Sequence, residues 1–109
     1  MWKLLAVGLV LVISGVLGLA TEPGKILIWA DDTRAPVFEE AAKAYTEDTG
    51  IPVEVVEVPF GEIRGQFITA APAGEGPDVI IGPHDWVGEL AASGVLMELQ
   101  LPEDLVASL

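Results

Sequence analysis

The chain has 109 residues, enough for one small domain, and carries 17 Asp and Glu against 5 Lys and Arg, a formal net charge of −12. That balance excludes a nucleic-acid surface, because phosphate contacts need clustered cationic side chains. The sequence has no cysteine, which excludes disulfides, thiolate metal sites, a Cys nucleophile and a lipid-attachment cysteine.

In chain order, Met1-Trp2-Lys3 is followed by an apolar run over residues 4–13, then by Ser14, Gly15 and Gly18 before Ala20. One positive charge, an apolar stretch and the small residues Gly18 and Ala20 have the layout of a secretory signal peptide over residues 1–20, cut before Thr21. The alternative is an uncleaved anchor. Residues 4–20 number 17, short of the roughly 20 that span a bilayer. The mature chain is therefore expected to be periplasmic or secreted.

After Glu22-Pro23-Gly24, residues 25–30 (Lys-Ile-Leu-Ile-Trp-Ala) predict a first strand. Asp31-Asp32-Thr33-Arg34 is a polar loop, and Pro36 suits the first turn of a helix. Val37, Phe38, Ala41, Ala42 and Tyr45 recur at helical spacing, so a helix is predicted over 36–49 with Phe38 and Tyr45 on its buried stripe. Gly50 is its expected left-handed cap, and Glu39 and Glu40 are expected to complement its dipole. Residues 53–58 predict a second strand, broken by Pro59-Phe60-Gly61. Ile63, Phe67, Ala70 and Ala71 form a weaker second helical stripe.

A loop over 72–77, rich in Gly and Pro, precedes Asp78 and the run Val79-Ile80-Ile81. These β-branched residues without polar alternation predict a third strand buried on both faces. Pro83 ends it near Gly82. A short third helix follows from Asp85, closed by Gly94. An apolar run over 95–99 is expected to form a further short strand, and Pro102-Glu103-Asp104 to cap one last turn. Alternating strands and helices at this spacing imply an α/β fold built on a parallel sheet with right-handed crossovers. Ligands bind such sheets beyond the carboxyl ends of the strands. Two strand-end loops there carry functional side chains: Asp31, Asp32, Thr33 and Arg34 after the first strand, and His84, Asp85 and Trp86 after the third.

Five segments, taken together, resemble a known family: Gly24-Lys25-Ile26-Leu27-Ile28-Trp29, Asp48-Thr49-Gly50-Ile51, Gly74-Glu75-Gly76-Pro77-Asp78-Val79-Ile80, His84-Asp85, and Ala92-Ser93-Gly94-Val95-Leu96. In order and spacing they are similar to the start of periplasmic solute-binding proteins of the maltose-binding type, the receptors of ABC sugar importers. The resemblance implies a two-lobed fold joined by a hinge, of which residues 21–109 would be an incomplete, partial parallel-sheet N-terminal lobe. It also implies a binding protein rather than an enzyme, with no cofactor and no metal. The implied ligand is an oligosaccharide of the maltose or maltodextrin type, the implied partner is a membrane permease, and the implied state is a monomer.

The resemblance also assigns site residues. Thr33 and Arg34 align onto an acid and a base of the family, with Asp31 and Asp32 just before. Asp85 aligns onto a carboxylate used for sugar hydroxyls. Trp86 stands where the family has an arginine, and Gly82 replaces an aromatic of its binding face. Trp86 is expected to compensate by stacking on the sugar.

A structural reading stands beside each assignment. Asp31, Asp32 or Thr33 would cap the following helix, Trp86 would pack the third helix against the sheet, and His84 would fix its loop. Trp29 is read as core. Three rival functions remain: a receptor for another sugar or small solute, a module held at the membrane by an uncleaved leader, and an exported hydrolase using Asp31, Asp32, Asp85 and His84 around a metal. The sequence holds no His-Glu-x-x-His, Gly-x-Ser-x-Gly or P-loop motif to favour the hydrolase.

Overall fold

Three short strands, Ile26–Ala30 (β1), Val53–Glu57 (β2) and Val79–Ile80 (β3), make an all-parallel sheet in the order β2-β1-β3. They belong to a computed structural model that describes residues 24–109. The signal peptide expected over 1–20 lies outside the described residues. Ile28 of β1 stands beside Val55 on one side and Val79 on the other, which makes β1 the central strand. The helices are Ala35–Thr49 (α1), Phe60–Ala70 (α2), Val87–Ala92 (α3) and Glu103–Ala107 (α4).

The two faces of the sheet are covered by different helices, so the period-two pattern of the strands is masked in the sequence. Ile26, Ile28, Val53 and Val79 share one face with Phe38, Ala41 and Tyr45 of α1. On the opposite face, Trp29, Val56 and Ile80 pack against the main core of Val58, Ile63, Phe67, Trp86 and Leu90, contributed mostly by α2 and α3. Ile63 is completely buried there. Trp29 thus packs on the core, as its place in β1 suggests.

Helix α1 starts with Pro in its first turn and ends on Gly50, whose φ of 73° lets its amide reach the Thr46 carbonyl at 2.8 Å. No acid lies in the first turn. Glu39 and Glu40 fall beyond it, where the dipole interaction has faded, so their expected role is not met. Pro59 both ends β2 and precedes α2, which begins directly at Phe60.

Three further expectations are corrected. Val79 is 41% exposed rather than buried on both faces. It lies at the sheet margin, where β3 pairs with β1 alone. Tyr45 is likewise exposed, at the rim of the groove between α1 and the sheet. Residues 95–99 form no strand. The Val95 amide bonds to the Leu90 carbonyl at 3.3 Å, which turns the chain back onto α3 and away from any strand partner.

Asp78 fastens β3 to β1. Its carboxylate accepts the Leu27 amide at 2.8 Å while its own amide donates to the Leu27 carbonyl at 2.9 Å. Asp78→Ala should therefore lower stability by about 1 kcal/mol, read as a lower urea midpoint. An unchanged midpoint would show that the two-residue strand holds without this clamp.

Candidate strand-end binding face

Because all three strands run the same way, the loops leaving β1, β2 and β3 emerge on one edge of the sheet. The order β2-β1-β3 sends the chain outward from β1 first to one side and then to the other. Such a reversal opens a crevice at the carboxyl ends.

Asp31 builds the loop after β1. Only 1% of its surface is exposed. One carboxylate oxygen accepts the amides of Thr33 and Arg34, each at 3.0 Å, and the other pairs with the Arg34 guanidinium. Its carbonyl accepts the amide of Ala35 at 2.8 Å, where α1 begins. Burial works against the Asp31 charge, but the amide and guanidinium of Arg34 and the amide of Thr33 outweigh it and hold the carboxyl below its ordinary range. Asp31, expected at the ligand, is thus engaged within its own loop. Its oxygens are occupied and it faces inward, so it organises the loop.

The next three residues of the loop are exposed. Asp32 accepts the Thr33 hydroxyl at 3.4 Å and turns toward Glu57, Pro59 and Phe60, lining with them a recess of about 470 Å³. Arg34 keeps half of its side chain exposed while held by Asp31, and its guanidinium carbon lies 6.0 Å from the centre of the Phe60 ring. After β3, a short 3₁₀ turn spans His84–Trp86. His84 Nε2 and Asp85 Oδ1 are 3.1 Å apart, with side chains 98% and 75% exposed.

Trp86, expected to stack on ligand, turns the other way. It is 9% exposed and belongs to the core beneath the face. Gly82 makes this possible: a β-carbon there would stand 2.4 Å from two carbons of the Trp86 ring. Any side chain at Gly82 would take the space that the indole fills. The ring in turn supports Phe60, with centroids 5.2 Å apart and planes tilted by 35°. Arg64 lies over the same indole at 5.7 Å and pairs with Glu89 at 3.1 Å. Arg34, Phe60 and Trp86 therefore connect the three strand-end loops into one surface.

Sequence reasoning overlooked Phe60, since Pro59-Phe60-Gly61 reads as a breaker. The available signal was a large aromatic directly after a strand end. Among the described residues, no three His, Asp or Glu side chains converge as a metal-holding group.

Comparison with known proteins places the chain in a family. Residues 29–104 match the model of the bacterial extracellular solute-binding protein family, and the chain belongs to that family. A galactooligosaccharide-binding protein of Bacillus subtilis is 28% identical over 86 residues, 79% of this chain and 20% of that protein. A maltotriose-binding protein of Pyrococcus abyssi is 35% identical over 75 residues, 67% of this chain and 16% of its own length. The solved maltotriose-binding protein of Thermus thermophilus, bound with maltotriose, superposes with a TM-score of 0.69 at 38% identity, over 75% of this chain and 23% of that one. The chain thus spans a fifth or less of the two curated relatives. The parallel sheet is the partial lobe of a periplasmic binding protein fold.

Gly82→Ala should push the indole off the sheet and cost about 1–3 kcal/mol, seen as a lower denaturation midpoint. A midpoint equal to the parent's would mean that the ring has room to spare. The Asp31 carboxyl titrates lower in the folded than in the unfolded chain. Its stabilising contribution is then complete above the ordinary carboxylate range and is lost as pH falls through roughly 4 toward the lowered folded value. Asp31→Asn should be less stable at pH 7 and lose less stability on acidification. Parallel stability–pH curves for the two chains would contradict this.

Proposed function

We propose that this chain supplies one wall of the ligand cleft in the substrate-binding component of an ABC sugar importer, and that the ligand is a maltodextrin-type oligosaccharide. The observation that carries this reading is the grouping of exposed Asp32, Thr33, Arg34 and Asp85 on one edge of a parallel sheet. Carboxylates and a guanidinium make strong, directional hydrogen bonds to sugar hydroxyls. His84 takes part through its pairing with Asp85. Asp31 and Trp86 support the loops from behind.

Support for the maltodextrin class comes from the Pyrococcus and Thermus proteins, named for maltotriose and 35% and 38% identical. The Bacillus relative, named for galactooligosaccharides, is 28% identical and favours a second sugar class. In this reading the protein is an exported monomer that hands its sugar to a membrane permease and carries out no chemistry on it. The acidic surface suits a receptor with no anionic partner.

Two walls normally enclose such a ligand, and one wall alone forgoes the contacts that closure adds. Equilibrium dialysis of the chain against labelled maltotriose, a galactooligosaccharide and a tripeptide should show millimolar uptake of maltotriose, weaker uptake of the galactooligosaccharide and none of the peptide. Uptake of the peptide in preference to either sugar would overturn the assignment.

A further inference from the structure

We infer that Phe60 is the aromatic platform of this wall, the ring on which one pyranose unit of the sugar lies. The inference rests on the sugar-receptor reading and specifies where on the face the ligand sits.

A sugar-binding wall needs an apolar plane for the C–H face of a pyranose as well as acceptors for its hydroxyls. Trp86, the expected candidate, is buried, and Gly82 offers no side chain. Phe60 is the aromatic side chain that reaches the recess beside β1 and β2, and it is 46% exposed. Several of the other exposed apolar residues, such as Met97, Leu99 and Leu109, lie in the C-terminal segment. Phe60 instead has the carboxylates of Asp32 and Glu57 in the same recess and the Arg34 guanidinium 6.0 Å from its centre. Hydroxyls at the rim of a stacked sugar ring would meet the two carboxylates.

The phenyl ring is also held in place before any ligand arrives. Pro59 precedes it with a fixed φ of −53°, and the indole of Trp86 backs it at 5.2 Å. An aromatic fixed in this way loses little freedom on binding, which favours affinity. The packed series Gly82, Trp86, Phe60 therefore moves the stacking surface from the β3 side of the face to the β2 side. A flat pyranose ring fits there, whereas a small anionic solute would gain nothing from the phenyl plane.

The test is the affinity of the chain for maltotriose, followed by saturation transfer from protein to sugar, in the parent and in Phe60→Ala, Phe60→Leu and Phe60→Trp. Phe60→Ala should bind about tenfold more weakly and lose most of the saturation reaching the ring C–H protons. Phe60→Trp should match or exceed the parent, with Phe60→Leu in between. If the parent binds maltotriose and Phe60→Ala binds it within twofold, the Phe60 inference falls and the receptor reading stands. If the parent takes up no sugar, both fall. Should Phe60→Ala fail to fold, Phe60→Leu binding as tightly as Phe60→Trp would overturn the inference by itself.

Discussion

Asp31 gives up its contact with water to hold the turn that leaves the central strand. In that position it receives two backbone amides and a guanidinium, so its charge is met on every side. Burying a carboxylate is costly unless it is paired and hydrogen-bonded in this way. The rest of the face follows from that turn. It starts α1 at Ala35 and exposes Asp32, and it draws Arg34 toward Phe60. Without it, three loops from three strands would share an edge but not a surface.

The forces that keep the lobe together differ from those that equip it. Its main core is a small cluster of aliphatic and aromatic side chains between α2, α3 and one face of the sheet. The ion pair Lys43–Glu40, at 3.0 Å, is solvent-exposed, and Lys25–Glu54, at 2.7 Å, is partly so. Pairs of that kind contribute little stability. With a net charge of −12, the surface repels itself more than it binds itself together. Stability therefore depends on burial, and Trp86 contributes both to the core and, through Phe60, to the exposed strand-end face. The proposed binding face therefore rests on side chains that also fold the lobe.

The elements written in periodic patterns were legible from the sequence. β1, α1 and β2 occur within one or two residues of their expected limits, because Pro36, Gly50 and Pro59 mark their ends by backbone sterics alone. The edge of the sheet that carries the loops was legible too, since parallel strands put every carboxyl end on one side. What could not be read was the direction of neighbouring side chains. Asp31 and Asp32 are the same residue type in adjacent positions, yet one is buried and the other open, which depends on where α1 begins. Phe60 and Trp86 are two aromatics whose order of burial is decided by the empty space at Gly82, a contact between loops rather than a local pattern. The run at 95–99 has strand composition but pairs with no strand among the described residues, and composition alone does not supply a partner.

A crystal structure of the chain with maltotriose tests the central claim most directly. The account predicts sugar against the Asp32 and Arg34 side of the first loop, with a pyranose ring over Phe60 and Asp85 on the same surface. Sugar in the apolar groove between α1 and the sheet, or at the opposite ends of the strands near Gly50 and Gly74, would contradict it.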